Sequence, residues 1–351
     1  MGKQCVYKYI SFMFLLISTL IAIFTIFGLF GGCVDPATGT AMAMLVYVLP
    51  FLIAGNVIMA ICWIVRRRWH WLAIPGVTLL CCIPYMGTVY QTGWFNSGET
   101  SRSGIKIATY NVAAFDRETS GFKAQDILAE MKKEGVDILC MQEYLDTSGD
   151  KLNSDSYKEY FTAHCYGRSD MIIYSRFPIE RYETIDFGDT NNSGMWADID
   201  VNGRILRVFN VHLETTGFNR TLHHFAKMEA KGQTAEENTI VSTIYGNYTR
   251  GMAVRARQAD LVASEIQQSE YPAIVCGDFN DVPYSYVYNT MLGDLVDGFK
   301  ECGEGLMYTF TGKKIVRIDY IFHDESLEGE TYYKKDFAYS DHYPVFMKIA
   351  F

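Results

Sequence analysis

The sequence has almost no charge in its first hundred residues, which hold five basic and two acidic side chains. It also lacks an internal repeat or a low-complexity tract, and only four of its nine cysteines lie beyond residue 100. These absences exclude a plain soluble enzyme, a fibrous chain and a small domain built on a disulfide framework. What remains is an apolar membrane segment before a globular domain with 26 basic and 38 acidic residues, a net charge of −12.

Three uncharged stretches near the start are long enough to cross a hydrocarbon core of roughly 30 Å. They cover residues 10–34, 41–65 and 72–90, and the third contains Pro75 and Pro84. A membrane helix tolerates proline when neighbouring helices satisfy the freed carbonyls. We therefore expect residues 1–96 to form an anchor with three transmembrane helices. A cleaved signal peptide fits less well, because its apolar core is typically about 7–15 residues long.

Basic residues predict the orientation of this anchor. Lys3 and Lys8 precede the first stretch, and Arg66, Arg67 and Arg68 lie between the second and the third. Basic residues favour the cytoplasmic side of the membrane. Three crossings of the plasma (inner) membrane would therefore place the following domain outside the cytoplasm, in the periplasm where there is one. If the third stretch were re-entrant or lay on the membrane surface, the domain would instead be cytoplasmic.

After a polar linker at residues 97–103, short apolar runs alternate with amphipathic segments over residues 104–351. This pattern is typical of a domain in which strands and helices alternate. Helical spacing covers Ala124–Lys133 and Met252–Gln267, and Asn202-Gly203 is a hairpin turn signal. Thr215–Arg250 is a polar insertion without a clear period, which we expect near the mouth of a site. The expected strands are Ile105–Tyr110, Asp137–Gln142, Met171–Tyr174, Trp196–Val201, Arg204–Val211, Ala273–Cys276, Arg317–Phe322 and Val345–Ile349.

The four cysteines of the domain show no metal-binding spacing. Cys140 and Cys276 lie in apolar, strand-like runs, and we expect both to be buried free thiols. The sequence leaves open whether Cys165 and Cys302 form a disulfide.

Polar residues that could carry chemistry recur at the ends of the expected strands, where a scaffold presents groups to a cleft. They are Asn111, Gln142-Glu143, Asn210-Val211-His212, Gly277-Asp278-Phe279-Asn280, Asp319 and Ser340-Asp341-His342.

These residue types fit the attack of water on a phosphoester, which needs a divalent ion, a base and donors for the phosphoryl oxygens. Glu143 offers the hard oxygen ligand that Mg²⁺ prefers. His342 could transfer a proton or stabilise charge, and Asp319 could fix its tautomer. Asp278 and Asn280 lie two residues apart, so an extended backbone would point both side chains into one cleft.

In this order, the six motifs resemble the endonuclease/exonuclease/phosphatase superfamily, which includes deoxyribonuclease I, abasic-site endonucleases, sphingomyelinases and inositol polyphosphate 5-phosphatases. The resemblance covers residues 104–351. It implies an α+β fold, a four-layer α/β/β/α sandwich of two mixed β-sheets, here preceded by an α-helical transmembrane segment.

The resemblance also implies a role for each residue of the motifs. His342 and Asp319 would form a catalytic pair, and Asp278 would orient or deprotonate the water. His212 would face the developing charge, and Asn280 would donate to the phosphoryl group. The metal, Mg²⁺ or alternatively Mn²⁺, would be held by Glu143 with support from Asn111, and Asp341 would join its shell directly or through water.

A membrane tether raises the effective concentration of a substrate in or near the bilayer. We therefore expect a metal-dependent phosphatase or phosphodiesterase that acts on a lipid head group or small phosphoester by direct attack of water. A membrane-bound extracytoplasmic nuclease is an alternative, although a net charge of −12 disfavours nucleic acid. An inactive module that binds phospholipid or a partner is a third possibility, against which the intact residue set argues.

The location of the domain can be tested with protease added to intact spheroplasts. If three helices cross the membrane, the domain after residue 96 is cleaved from outside, whereas a cytoplasmic control protein stays intact. Complete protection of the domain would contradict the outward orientation.

Overall fold

The computed structural model describes residues 2–93, 104–113, 124–144, 155–168, 171–188, 190–231, 237–311 and 316–351. The chain divides into two compact units, one of Met1–Thr88 with Pro283–Asn289 and one of Val89–Val282 with Thr290–Phe351. The expected linker at residues 97–103 lies outside the described residues, so its boundaries stay a prediction.

Four helices make up most of the first unit: α1 (Gly2–Gly31), α2 (Pro36–Val65), α3 (Trp69–Cys81) and α4 (Ile83–Val89). In the described residues, α1 from Val6 and the whole of α2 are each long and apolar enough to cross a membrane. Large apolar side chains such as Phe12 and Phe51 are exposed on them, as expected of helices that face lipid.

The expectation of three spans holds only in part. The third stretch consists of α3 and α4, bent by 47° with respect to each other, and it counts as a span only if the bent pair crosses as one. Pro84 at the second residue of α4 lacks an N–H group and its ring conflicts with a continuous helix, which explains the break at Cys82.

The ends of the first two helices also differ from the expected ranges. Helix α2 begins at Pro36, where the Asp35 carboxylate caps it by accepting a hydrogen bond from the Ala37 amide at 2.8 Å. Its backbone is kinked at the non-helical Gly39, so the uninterrupted part of the helix starts close to the expected residue 41. The third stretch ends at Val89, since Tyr90 pairs with Leu306 in a short strand.

Among the described residues, the second unit contains two mixed six-stranded sheets, one two-stranded ribbon and six further helices, of which α9 lies partly in the first unit. The first sheet has the order β13-β14-β2-β3-β5-β4, and the second has the order β10-β12-β9-β8-β7-β6. The strands are β1 (Tyr90–Gln91), β2 (Gly104–Asn111), β3 (Ile138–Gln142), β4 (Ala163–Tyr166), β5 (Ile172–Ser175), β6 (Ile179–Ile185), β7 (Gly194–Val201), β8 (Arg204–His212), β9 (Ala273–Asp278), β10 (Val296–Asp297), β11 (Gly305–Leu306), β12 (Asp319–His323), β13 (Glu328–Lys334) and β14 (Val345–Ala350). The helices are α5 (Ala124–Glu134), α6 (Asp155–Tyr160), α7 (Phe218–Ala230), α8 (Glu237–Gln267), α9 (Tyr286–Leu292) and α10 (Gly298–Cys302).

The main core lies between the two sheets and follows from the two-residue period of their strands. Ile105 and Ile107 of β2 pack there with Val208 of β8 and Ile274 of β9. Ala108 and Tyr110 of β2 face the other way, into a second core with helices α5 and α6. The expected four-layer sandwich of two mixed sheets is therefore confirmed.

Cys140 and Cys276 are buried free thiols in the main core, as expected, with their sulfurs 3.6 Å apart. Cys165 and Cys302 are also buried and free.

The polar insertion at residues 215–250 shows no clear period in its sequence, but most of its described part is helical. It contains α7 and the first half of α8, and the Asn247 amide group donates to the Thr221 hydroxyl at 3.1 Å to join the two helices. Helix α7 is clearly amphipathic although it contains few strongly apolar residues, whereas α8 is only weakly amphipathic.

Candidate functional site

Parallel strand pairs bring the polar residues together. In the first sheet, β2 and β3 run parallel, with Asn111 opposite Gln142 at their carboxyl ends. In the second sheet, β8 and β9 run parallel and end with His212 opposite Asp278. Because the Asn111 amide group donates to the Asp278 carboxylate at 3.0 Å, the two pairs of strand ends meet at one place.

Asp278 lies at the centre of this cluster, and its side chain is only 1% exposed. Its carboxylate accepts hydrogen bonds from the Asn111 side chain at 3.0 Å, the Asn280 backbone amide at 2.8 Å and the Asn280 side chain at 3.3 Å. These three donors replace the hydrogen bonds to water that the carboxylate loses when it is buried. The preceding Gly277 has φ of +142°, and a Cβ atom there would lie 1.9 Å from the Val211 carbonyl oxygen, so glycine is required for this close approach.

Glu143 follows β3 with a left-handed backbone, at φ of +53°. Its side chain is 41% exposed, and its Oε1 accepts from the Asn111 amide group at 3.2 Å and lies 3.7 Å from Nε2 of His212. Left-handed conformations of residues other than glycine cost energy and concentrate at functional sites. Glu143 therefore places a solvent-accessible carboxylate beside the buried one of Asp278.

Asp319 and His342 form a buried pair. Asp319 begins β12 directly opposite Asp278 of β9, and its carboxylate lies 3.0 Å from Nδ1 of His342. Nε2 of His342 points to the other side and lies 3.7 Å from the Asp278 carboxylate. The Phe310 ring packs edge-on against the imidazole, with the ring centroids 5.1 Å apart.

The charges of this pair hold a proton on the imidazole. Burial alone would lower the pKa of His342, but the negative carboxyl groups of Asp319 and Asp278 outweigh it and raise that pKa to about 10. Burial also keeps the pKa of Asp319 above its usual range, and the His342 charge opposes that rise. The protonation states of Asp319 and His342 therefore depend on each other.

Asp341 and Asn280 complete the set that the sequence singled out. Asp341 is exposed as a whole residue, but its carboxyl group is partly desolvated. This desolvation and the nearby charges of Glu143 and Asp278 raise its pKa, against the opposing charge of His342. Asn280 is left-handed, at φ of +51°, and its side chain also donates to the Leu213 carbonyl at 2.9 Å. All eight candidate residues therefore surround one place, although their chemical roles stay predictions.

Two sets of contacts support the site: Gln142 and Asn210 of the first belong to the sequence motifs, whereas Thr309 of the second belongs to none. The Gln142 amide group donates to the Asn210 side chain at 2.6 Å and to the Thr109 hydroxyl at 3.0 Å, which links the two sheets beneath the site. The buried Thr309 hydroxyl accepts from the backbone amides of Ile318 and Asp319, both at 3.0 Å, and thus fixes the start of β12. A lone threonine in a loop carries no sequence signal for such a contact.

Two positions in the site could hold a divalent metal. Among the described residues, ligand atoms of Asp278, Asp319 and His342 all lie within 4.8 Å of one another. That cluster is buried, however, and its imidazole is already bonded to Asp319. Mg²⁺ usually keeps several waters and binds through one or two carboxylates. The exposed carboxylate of Glu143 therefore fits that ion better than the buried cluster does.

The comparisons with known proteins concern both parts of the chain. The model of the Endonuclease/Exonuclease/phosphatase family matches residues 108–342, about two thirds of the sequence. A second model, Domain of unknown function (DUF8431), matches residues 11–89. No curated protein matches the chain.

Similar solved structures show the same fold at low sequence identity. An endonuclease/exonuclease/phosphatase from Bacteroides vulgatus is 18% identical, with a TM-score of 0.52 over 71% of this chain and 99% of that one. The human Nocturnin catalytic domain is 16% identical, with a TM-score of 0.50 over 71% and 95% of the two chains. D. rerio TDP2, solved with a single-strand DNA product, is 15% identical, with a TM-score of 0.50 over 71% and 100%.

The role of Thr309 can be tested by Thr309→Val, which keeps the shape but leaves two buried amides without their acceptor. We expect the free energy of unfolding to fall by about 1–3 kcal/mol, the cost of leaving a buried polar group unsatisfied. The measurement is thermal unfolding of the full chain in detergent. Thr309→Ser keeps the hydroxyl and is expected to unfold close to the wild-type temperature; equal losses in both variants would contradict the role of the hydroxyl.

Proposed function

Because the chain belongs to the endonuclease/exonuclease/phosphatase family, we propose that it is a membrane-anchored, metal-dependent hydrolase of a lipid head group or small phosphoester. The second unit has the phosphoesterase fold of that family. The observation that carries the proposal is the convergence of Asn111, Glu143, Asp278 and two histidines at the meeting point of two sheets.

Asp278 is the group that orients or deprotonates the attacking water. Three N–H donors fix its carboxylate in one position. The Asn280 side chain, which also donates to the Leu213 carbonyl, would release its longer 3.3 Å bond to Asp278 in order to donate to the phosphoryl group. A base held in this way loses little entropy when the substrate binds, which is the advantage of a preorganised site.

The two imidazoles face the phosphoryl oxygens, and His342 supplies positive charge and a proton there. Nε2 of His342 and Nε2 of His212 lie 3.7 and 3.8 Å from the Asp278 carboxylate. Both distances exceed a direct hydrogen bond, so both nitrogens remain able to contact a substrate oxygen. Asp319 orients His342 through Nδ1 and stabilises its charged form.

The donor set fits a hard divalent cation, Mg²⁺ or Mn²⁺. Glu143 would hold it with its exposed carboxylate, Asn111 keeps that carboxylate in place, and Asp341 lies close enough to Glu143 for their charges to interact. When bound there, such an ion neutralises phosphate charge and makes a nearby water more acidic.

The proposed anchor consists of α1, α2 and the bent pair α3–α4 crossing as a third span, which places the domain of residues 104–351 outside the cytoplasm. A tethered enzyme meets substrates of the bilayer at a high effective concentration. The acidic charge of the domain disfavours a nucleic acid substrate, since affinity for phosphate backbones comes largely from basic residues.

The test is turnover by the full chain in detergent, with Mg²⁺ or with EDTA, on phospholipids, inositol phosphates, simple phosphodiesters and single- and double-stranded DNA. We expect metal-dependent cleavage of lipid or small phosphoesters. His342→Ala should lower kcat by on the order of 10²–10⁴, the usual contribution of a group that transfers a proton.

His224→Ala is the matched control, because His224 is exposed on α7. It should retain wild-type turnover. Unchanged activity in His342→Ala would contradict the assigned role of that residue. Cleavage of DNA at a comparable rate would favour a nuclease, and a folded, metal-binding protein with no turnover would favour a binding module.

The metal assignment has its own test, which does not depend on activity. Glu143→Gln removes the exposed carboxylate and should weaken Mn²⁺ binding by about tenfold or more, as measured by the spin-resonance signal of free Mn²⁺. Glu229→Gln, at an exposed position of α7, should bind as the wild type does. Equal affinity in both variants would exclude Glu143 as a ligand.

A further inference from the structure

Two arginines between α2 and α3 share one aromatic ring of α1. The Cζ atom of Arg66 lies 4.9 Å from the centre of the Tyr7 ring, and that of Arg68 lies 5.8 Å from it. The face of an aromatic ring attracts a cation. Because both guanidinium groups lie close to the same ring, the two positive charges are held near each other. We call Tyr7, Arg66 and Arg68 the tyrosine clamp.

The packing of α1 against α2 fixes the position of the tyrosine clamp. The Arg66 guanidinium donates to the Ser11 hydroxyl at 2.7 Å, at the end of the helix pair where α1 begins and α2 ends. Further along the same two helices, the Asn56 amide group donates to the Thr25 hydroxyl at 2.8 Å. These bonds set the register of the two helices, so the first turns of α1 lie beside the residues that follow α2.

The clamp has no acidic partner in the part of the chain that the structure describes. Asp35 is the sole acidic residue among residues 1–90, and it caps the opposite end of α2. A helix of 30 residues is about 45 Å long, so that carboxylate is too distant to compensate the clamp. The carboxyl end of α2 offsets only about half a unit charge. The protein alone therefore leaves most of this positive charge uncompensated.

The Arg66 guanidinium also lacks an acceptor. Its Nε atom is buried and has no hydrogen-bond partner among the described residues. A buried donor of a charged group without a partner costs free energy. Phosphate oxygens accept two parallel N–H bonds from one arginine, and they carry negative charge. A phosphate is therefore the kind of ligand that this group lacks.

Aromatic residues place the clamp at the level of the lipid head groups. Tyr7 lies at the start of the first candidate span, Val6–Gly31, and Arg66 directly follows the second. Tyr9 and Trp69 are exposed at the same end of the two helices. Tyrosine and tryptophan are enriched at the boundary between hydrocarbon and water. In the proposed orientation this boundary belongs to the cytoplasmic leaflet, where anionic lipids give the surface a negative potential.

We propose that the tyrosine clamp binds the phosphate of an anionic membrane phospholipid, such as phosphatidylglycerol. This inference concerns the anchor, and it goes beyond the proposed function without depending on it. A zwitterionic lipid carries its own cation beside the phosphate, so the clamp favours lipids with a net negative charge. A bound lipid joins the first turns of α1 to the segment after α2 and thereby stabilises the anchor.

The experiment uses the full chain in a nonionic detergent at 0.15 M salt, with phosphatidylglycerol compared with phosphatidylcholine of the same acyl chains. Native mass spectrometry measures the bound lipid, and thermal unfolding measures the stabilisation. We expect phosphatidylglycerol to bind about tenfold more tightly or better, and to raise the unfolding temperature, because its phosphate makes charge-assisted hydrogen bonds. Equal affinity for the two lipids would overturn the proposal.

Arg66→Gln and Arg68→Gln each remove one guanidinium group and should each weaken phosphatidylglycerol binding by about tenfold. Arg67→Gln is the matched control, since it removes the same charge from the same loop. Arg67 is exposed, has a left-handed backbone at φ of +52°, and does not lie over the Tyr7 ring in the described structure. Exposed charges more than about 8 Å apart are largely screened at this salt concentration, so the control should bind within about twofold of the wild type.

Equal losses in all three arginine variants would mean that general attraction of charge suffices, and would overturn the clamp. Tyr7→Leu supplies a test that changes no charge. It should weaken phosphatidylglycerol binding by about threefold or more, because the contacts of both cations with the ring are lost. Tyr7→Phe keeps the ring and should bind as the wild type does.

Wild-type affinity in Tyr7→Leu would exclude the ring as the group that holds the two arginines and would overturn the clamp. The unfolding temperature of each variant without added lipid establishes that it is folded. The source of the phosphate is tested with glycerol 1-phosphate, the soluble part of the same lipid. Failure of an equal concentration of glycerol 1-phosphate to displace the lipid supports a membrane ligand, whereas full displacement would overturn it.

Discussion

Two buried carboxyl groups on neighbouring strands, Asp278 of β9 and Asp319 of β12, impose the main constraint on the site. Like charges at such close range are tolerated only when neighbours supply positive charge and N–H donors. His342 lies between the two carboxylates, Asn111 reaches Asp278 from the other sheet, and Thr309 fixes the backbone from which Asp319 projects. The arrangement of both sheets at this end therefore depends on satisfying these two charges.

The sequence predicts the inner strands of the sheets and misses the outer ones. All eight expected strands occupy inner positions, whereas β4, β6, β10 and β13 are the four sheet edges. An inner strand is buried by its neighbours and shows a clear apolar pattern. An edge strand such as β6 exposes five successive residues and carries no such pattern, so its pairing partner decides its structure.

The residues of the site could be predicted, but the contacts that support it could not. Strand-end motifs and a family resemblance suffice to select residues such as Asn111 and Asp278, which are separated by 167 positions and joined by a hydrogen bond. The contact of Gln142 with Asn210 and that of Thr309 with the start of β12 arise only from tertiary packing.

The left-handed backbone of Glu143 limits how this protein can be improved. Glycine would adopt that conformation without strain, so a search for heat-resistant variants would be drawn to this position. The same replacement would delete the exposed carboxylate that we assign to the metal. At this residue a gain in heat resistance and the retention of catalysis exclude each other, and a thermostable form has to be sought elsewhere in the fold.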